Sequence, residues 1–195
     1  MEQTNVRLRP FKLGDTEALT RWGTHDDPRF YQYNFPYCRS SDLERWYAAK
    51  KVFFKRWIYA IEVNYRVVGY ITLKNISWMQ KKGEMGIAID PNYLGRGIGT
   101  RAICLYLHRV FRNFIIDEIH LKTAEFNTRA ITCYENIGFE HIEKKREPFE
   151  EQSFRKDILR EYPDFDHDKK NLYVNYCYMK ISKSAFIGRY IKKTE

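Results

Sequence analysis

The feature that most constrains the fold is a glycine-rich segment at residues 94–100, which follows a predicted strand and residues 90–93 and runs directly into a predicted helix. Alternate glycines allow a tight turn and a close approach of the backbone to a ligand. The N–H groups at the start of the following helix point outward and favour an anion such as a pyrophosphate. The segment therefore predicts a phosphate site built from Leu94, Gly95, Arg96, Gly97, Ile98, Gly99 and Thr100.

Three kinds of phosphate-binding segment are candidates for this stretch. A Walker loop is excluded because the sequence has no G-x-x-x-x-G-K-[ST] motif. A dinucleotide-binding fold is a more serious alternative, since Gly97, Gly99 and Ala102 fit G-x-G-x-x-A and Asp117 follows at a suitable distance. That fold needs further strand-helix-strand units, whereas the upstream segments predict a meander. We therefore disfavour the dinucleotide-binding alternative.

The first ninety residues predict short helices followed by an antiparallel meander. A strand is expected at residues 6–9, and a helix that Asp15 caps is expected to include Trp22. A second helix is predicted to begin after residues 40–42, where Ser41 and Glu44 match a capping box. Residues rich in β-branched and aromatic side chains then predict three strands, at 57–63, 67–73 and 85–89.

The second half of the chain alternates helices and strands. A long amphipathic helix is predicted at 98–114, and a shorter one begins at Asn127 and stops at Gly138. Strands are predicted at 118–126, 139–144 and 172–181, with a long charged connection at 148–170 that is either a lid or partly helical over 153–160. The fold class is α/β of the α+β type.

Length and composition limit the remaining choices. The 195 residues predict a single domain spanning 1–195 with the long connection before its last strand. The four cysteines are widely separated and include no C-x-x-C pair, so we expect no metal site and no disulfide framework. No long apolar run suggests export or membrane spanning, so the predicted location is cytoplasmic. The net charge of +9 would attract nucleic acid or a nucleotide cofactor equally well.

Two segments of the sequence resemble the cofactor motifs of one enzyme superfamily. Residues 84–101 resemble the acetyl-CoA signature of the GNAT N-acetyltransferases, [Gln/Arg]-x-x-Gly-x-[Gly/Ala], with Gly97 and Gly99 at the glycine positions. Leu94 stands where that signature has Gln or Arg. Residues 127–139 resemble the second cofactor helix of the same superfamily. The resemblance extends over roughly residues 5–181 and implies a GNAT-like mixed, mostly antiparallel central sheet flanked by helices, with acetyl-CoA as co-substrate.

The resemblance also implies roles for individual residues. The backbone of Ile87, Ala88 and Ile89 would pair with the pantetheine arm as an added strand, and residues 94–100 would hold the pyrophosphate. Asn127 would contact the cofactor near its thioester. Tyr134 would donate a proton to the departing CoA thiolate. These residues, with Ala130 on the same helix as Asn127 and Tyr134, form the predicted cofactor-binding set.

The acceptor amine and the base that deprotonates it are less constrained. A carboxylate at the start of the cofactor strand resembles the equivalent acid of polyamine-acetylating members, so Glu84 is the predicted general base. The motifs are similar to those of spermidine acetyltransferases and of ribosomal-protein N-terminal acetyltransferases, so the expected acceptor is a polyamine-like small molecule or a protein N-terminus or lysine. Acidic and aromatic residues that could line its cleft are Asp26, Asp27, Asp42, Glu44, Glu150, Glu151, Tyr31, Tyr33, Phe35 and Tyr37.

Several alternatives to this function remain open at the level of sequence. The chain could be a basic nucleic-acid-binding module without catalysis, although it has no recognised RNA or DNA motif and nucleic acid is not an expected partner. It could be an NAD-binding oxidoreductase, or a degenerate GNAT protein that binds CoA without turnover. No membrane partner is expected, and a homo-oligomer is left open.

Overall fold

The computed structural model describes residues 5–51, 57–150, 152, 159–168 and 170–191. These residues form two compact units, which we call the N-terminal unit (1–24 and 34–119) and the C-terminal unit (25–33 and 120–195). The organisation of the whole chain as one domain stays a prediction. None of the described helices is both long and apolar enough to cross a membrane.

The N-terminal unit contains an antiparallel meander, as the sequence predicts. Its strands are β1 (Val6–Pro10), β2 (Trp57–Val63), β3 (Arg66–Ser77) and β4 (Lys82–Ile89), in that order across the sheet. Asn64 and Tyr65 both have positive φ, of 49° and 62°, in the two-residue turn between β2 and β3. Left-handed residues at both positions match the twist of a tight hairpin.

Helices cover both faces of this sheet. α3 (Ile98–Asn113) buries one apolar stripe, and its Tyr106 ring meets Tyr59 of β2 edge-on at 5.5 Å. On the other face, α1 (Thr16–Leu19) and α2 (Ser40–Lys51) pack with β2 and β3 through an apolar cluster. That cluster consists of Phe11, Leu19, Ile58 and Ala60, with Trp22, Phe35, Trp46, Tyr47, Val67 and Tyr70 around them.

Two sequence-based details of these helices are wrong. The first helix ends at Leu19 and does not include Trp22. Asp15 occupies its N-cap position, but the Asp15 carboxylate bonds to Arg9 and to the Lys12 N–H and does not cap the helix. The second helix begins at Ser40, one residue earlier than the predicted capping box, since the Arg39 carbonyl accepts from the N–H groups of residues 42 and 43. The ends of helices are less well determined by local sequence than the helices themselves.

The described part of the C-terminal unit contains a second set of strands, with one helix after β5 and another after the last strand. In chain order, these elements are β5 (Glu118–Ala124), α4 (Thr128–Ile137), β6 (Glu140–Pro148), β7 (Phe165–His167), β8 (Leu172–Ser182) and α5 (Lys183–Ile191). The first two residues of β5 belong to the N-terminal unit. β8 lies between β5 and β6, and both β6 and β7 pair with it antiparallel.

The predicted connection at 148–170 is partly ordered as a strand. β7 pairs Phe165 with Val174 and His167 with Leu172, a strand pairing that the sequence analysis did not predict within this connection. The short strand was missed because its alternation is too brief to recognise. The predicted helix at 153–160 falls mostly on 153–158, outside the described residues. The core beneath β7 comprises Ala124, Phe126, Phe149, Leu159, Phe165, Leu172, Val174 and Tyr176.

Candidate active site

Asp90 fixes the path of the chain from β4 into the glycine-rich segment. Its side chain is buried, and Oδ1 accepts hydrogen bonds from the Asn92 N–H at 2.9 Å and from the Gly23 N–H at 3.0 Å. Its own backbone donates to the Val68 carbonyl at 2.8 Å. A Cβ on Gly23 would come within 2.8 Å of the Asn92 side chain, so a larger residue at this position would displace that side chain. These hydrogen bonds of Asp90 were not predicted from the sequence.

The glycines that follow adopt the conformations that the motif predicts. Gly95 and Gly97 have φ of +74° and +71°, a region that side chains disfavour. A Cβ built on either would enter open space, so the backbone at both positions is accessible from outside. Gly99 lies in the first turn of α3, where a Cβ would stand 3.2 Å from Ile89. The residues therefore fit the predicted role of a backbone cradle for a phosphate.

The start of α3 supplies the donors for such a cradle. Gly97 is the N-cap of the helix, and its carbonyl accepts from the Arg101 N–H at 3.1 Å. The N–H groups of the first turn have no acceptor within the helix itself, and the dipole of a 16-residue helix favours an anion there. Arg96 lies 5.2 Å over the Tyr93 ring beside them. The arrangement suits a pyrophosphate bound mainly by backbone groups.

The burial of β4 decreases at the point along the strand where the pantetheine arm is predicted to bind. Gly83 and Met85 are buried, as expected for a strand inside a sheet, whereas residues 86–89 are only half-buried. Ile87, Ala88 and Ile89 pair on one side with Ile71, Tyr70 and Gly69 of β3. Because they are only half-buried, residues 86–89 are partly accessible to a ligand.

Glu84, the predicted general base, takes part in a cross-strand ion pair. One carboxylate oxygen lies 2.8 Å from Lys74 Nζ, and the other accepts from Asn75 Nδ2 at 2.8 Å. Lys74 stands opposite Glu84 in the β3–β4 register, so the pair also stabilises the sheet. Its catalytic role stays a prediction, since a proton acceptor would have to compete with both partners.

The second predicted cofactor helix forms with the expected boundaries. Asn127 caps α4, and its side-chain oxygen accepts from the Ala130 N–H at 3.4 Å. Gly138 ends the helix with φ of +115°, and its N–H donates to the carbonyls of Tyr134 and Glu135. Asn127, Ala130 and Tyr134 therefore lie on one helix of the C-terminal unit, as the sequence predicts. Ile87, Ala88, Ile89 and residues 94–100 lie in the N-terminal unit.

Tyr134 combines a buried ring with a hydroxyl that stays protonated. Its ring is buried and packs against Phe139 at 5.7 Å. Burial raises the pKa of the Tyr134 hydroxyl, and Cys133 and Tyr33 raise it further. The proton is therefore retained at every pH near neutrality, which a donor to a departing thiolate requires.

A cluster of acidic and aromatic residues in the C-terminal unit surrounds one ammonium group. Lys122 Nζ lies 3.4 Å from Glu147, 3.2 Å from Glu150 and 4.2 Å from the centre of the Tyr176 ring. The Tyr176 hydroxyl accepts from the Glu150 N–H at 3.2 Å. We call Lys122, Glu147, Glu150 and Tyr176 the ammonium cluster. Of these four residues, only Glu150 was predicted from the sequence to line the acceptor cleft, because the others come together only through strand pairing.

The other predicted acceptor residues are dispersed. Asp27 pairs with Arg29, and Asp42 lies 3.8 Å from Arg45. Asp26 and Glu44 are exposed, and Glu151 lies outside the described residues. Of the four alternating aromatic residues, Phe35 and Tyr37 belong to the N-terminal unit, whereas Tyr31 and Tyr33 belong to the C-terminal unit.

The acetyltransferase (GNAT) domain family matches residues 5–140, which is more than half of the chain. The chain belongs to this family. The predicted cofactor, acetyl-CoA, and the predicted reaction class, N-acetyl transfer, are therefore confirmed. This enzyme is an N-acetyltransferase that uses acetyl-CoA as co-substrate.

Relatives and solved structures agree with the assignment. A spermidine N(1)-acetyltransferase of Escherichia coli is 24% identical over 135 residues, which cover 69% of this chain and 73% of that protein. An N-alpha-acetyltransferase of Sulfurisphaera tokodaii is 26% identical over 150 residues, covering 72% and 83%. The crystal structure of a spermidine N-acetyltransferase from Vibrio cholerae in complex with CoA and spermine has a TM-score of 0.70 at 21% identity, covering 93% and 98%. The structural likeness confirms the predicted GNAT-like fold.

The alternatives drawn from the sequence are not supported. The strands before the glycine-rich segment form an antiparallel meander, which a dinucleotide-binding fold lacks. The family match likewise gives no support to a nucleic-acid-binding module. Among the described residues, no group of three or more His, Cys, Asp or Glu could hold a metal ion.

Proposed function

We propose that this acetyltransferase transfers the acetyl group to a primary amine of a polyamine, and that Tyr134 is its general acid. Residues 94–100 hold the pyrophosphate, and the backbone of residues 87–89 pairs with the pantetheine arm. The positive-φ glycines, the half-buried end of β4 and the family motifs support these roles. Asn127 and Ala130 contact the cofactor near the thioester.

The transfer requires a neutral amine. An alkyl amine with a pKa of about 10.4 is neutral in roughly one molecule in 2,500 at pH 7, so forming the nucleophile costs about 4.6 kcal/mol unless the enzyme helps. The amine nitrogen then attacks the thioester carbonyl, whose oxygen accepts from a strand N–H at Ala88 or Ile89. The carbon–sulfur bond breaks, and the sulfur takes the proton of Tyr134.

One observation carries the choice of a polyamine as acceptor. The ammonium cluster holds the alkylammonium of Lys122 between two carboxylates and the face of an aromatic ring. Carboxylates and aromatic faces are the groups that bind alkylammonium ions. The Glu150 side chain is 58% exposed, so it can accept a second cation from solvent. The two relatives are a spermidine N(1)-acetyltransferase and an N-alpha-acetyltransferase, so a polyamine and a protein N-terminus are both candidate acceptors. The ammonium cluster favours the polyamine.

Substitution of Glu150 tests the acceptor class. Glu150→Gln keeps the side-chain size and removes the charge, so we expect KM for spermidine to rise about three- to tenfold while KM for a monoamine of similar length changes little. Glu140→Gln is the matched control, because Glu140 lies exposed on β6 of the same unit. Equal effects on spermidine and the monoamine, or efficient acetylation of peptide N-termini with no turnover of spermidine, would contradict the proposal.

Glu84 is the general base that the sequence predicts, and a Glu84→Gln variant tests that prediction.

Self-association is a further prediction. A Vibrio cholerae spermidine N-acetyltransferase with a TM-score of 0.65 and 20% identity is described as dodecameric, with 94% of this chain and 97% of that chain covered. Sedimentation of this enzyme at several concentrations would establish its own oligomeric state.

A further inference from the structure

His25 lies at the start of the segment that the C-terminal unit draws from the first part of the chain. It lies three residues before the 3₁₀ turn at Pro28–Tyr33. Its imidazole stacks on the Phe30 ring at 5.5 Å with an interplanar angle of 25°, and its centre is 6.2 Å from that of the Tyr33 ring. The imidazole is therefore held between aromatic neighbours in one orientation.

One ring contact, made by the neighbouring Phe30, and two electrostatic interactions relate His25 to the region of α4. Phe30 meets Phe126 edge-on at 5.4 Å, one residue before the Asn127 cap. The charge of Arg129, in the first turn of α4, acts on His25. Tyr33 acts electrostatically on Tyr134. His25, the cap of α4 and the Tyr134 hydroxyl therefore belong to one local neighbourhood within the C-terminal unit.

Arg29 holds this segment in place. Its guanidinium bonds to Asp27 at 2.8 Å and to Asp164 at 2.7 Å, and it lies over the rings of Phe126 and Tyr162 at 5.4 and 5.2 Å. Because the anchor lies four residues after His25, the imidazole is attached to a fixed stretch of backbone. A base that must meet a reacting nitrogen needs such positioning.

We propose that His25 is the general base that takes the proton from the acceptor ammonium. The inference rests on the proposed function, with Tyr134 as the acid. One N–H bond of the ammonium breaks, its electron pair stays on nitrogen, and the proton moves to an imidazole nitrogen. The nitrogen attacks the thioester carbon, and the carbon–sulfur electron pair leaves with sulfur, which takes the Tyr134 proton. A second proton from the nitrogen restores Tyr134, and His25 releases its proton to water.

The surroundings of His25 keep the imidazole neutral at physiological pH. Burial lowers the pKa of His25, and the positive charge of Arg129 lowers it further, while the carboxylates of Asp27 and Asp26 oppose both effects. A neutral imidazole has a lone pair that can accept a proton. Glu84 shares its carboxylate with Lys74 and Asn75, so an incoming proton would have to displace one of these partners.

The test compares two acceptors in a His25→Gln variant. Spermidine is protonated at neutral pH and needs a base, whereas a weakly basic amine such as a hydrazide is already neutral. We expect kcat for spermidine to fall on the order of a hundredfold, and kcat for the hydrazide to fall only a few-fold. The acid limb of the wild-type pH profile of kcat should also disappear in the variant. His167→Gln is the control, because His167 is exposed on β7 of the same unit.

Other outcomes would overturn the inference. Equal losses for spermidine and the hydrazide would make His25 a structural residue, and an unchanged pH profile would place the base elsewhere. A selective loss for spermidine in Glu84→Gln, with His25→Gln unaffected, would assign the base to Glu84. Wild-type enzyme that binds CoA, measured by thermal shift, but acetylates neither amine would contradict the proposed function itself.

Discussion

The glycine-rich segment of the N-terminal unit and the α4 region of the C-terminal unit are built from different groups. The first is made of backbone: positive-φ glycines, helix N–H groups and the buried carboxylate of Asp90. The second is made of side chains, including Tyr134, the Arg29 anchor and the ammonium cluster. We infer that the backbone-built region binds the part common to all CoA molecules, while the side-chain region supplies proton transfer and acceptor choice.

The largest expected effect is on the chemical step and belongs to the C-terminal unit. Tyr134→Phe removes the proton donor while keeping the buried ring, so we expect kcat to fall on the order of a hundredfold with KM for acetyl-CoA nearly unchanged. Steady-state kinetics with spermidine measure both values. If Tyr134→Phe raised KM for acetyl-CoA and left kcat intact, the division of roles between the two regions would fail.

Tyr106→Phe is the matched control for that variant. Tyr106 is 1% exposed, and its hydroxyl has no hydrogen-bond partner within the part of the chain that the structure describes. Removing an unsatisfied buried hydroxyl should leave kcat unchanged and leave the free energy of unfolding equal or up to about 1 kcal/mol higher.

The next effect concerns cofactor affinity and belongs to the N-terminal unit. Gly97→Ala places a Cβ in the open space where we propose the pyrophosphate binds, so we expect the Kd for CoA to rise about tenfold or more. The positive φ adds a conformational cost of about 1–2 kcal/mol to the fold. Calorimetric titration with CoA measures the affinity. Gly14→Ala is the control, because a Cβ there also meets nothing within 4 Å and its φ is not positive.

The smallest effect concerns the anchor of the His25 segment. Arg29→Ala removes two partly exposed ion pairs and two ring contacts, so we expect the free energy of unfolding to fall by about 1–2 kcal/mol. Arg29 lowers the pKa of Asp27. The stabilisation that depends on Asp27 is therefore fully present above the pKa of Asp27 in the unfolded chain, about 3.9. It is lost as the pH falls through the lower pKa of Asp27 in the folded protein.

Denaturant unfolding of wild type and Arg29→Ala at neutral and acidic pH checks this prediction. The stability difference between the two proteins should shrink at acidic pH. Arg45→Ala is the control, since Arg45 is 79% exposed and lies 3.8 Å from Asp42, so its loss should change stability by less than about 0.5 kcal/mol. A difference that grew on acidification would contradict the linkage between Arg29 and Asp27.

The contrast between the two regions also explains how much could be predicted from sequence. Gly97, the Asn127 cap and the Gly138 stop were predictable because each depends on local backbone geometry. The ammonium cluster was not, since Lys122 and Glu147 meet only after β5, β6 and β8 associate. His25 was missed for the same reason: its partners Arg129 and Tyr33 act on it through tertiary structure, and no local motif marks it.

The most direct test of the central claim is to incubate the wild-type enzyme with acetyl-CoA and spermidine and follow both products by mass spectrometry. The account predicts that acetylated spermidine and free CoA form in equal amounts, at a rate that Tyr134→Phe lowers about a hundredfold. CoA release without acetylated amine, or acetylation that proceeds equally well in Tyr134→Phe, would contradict it.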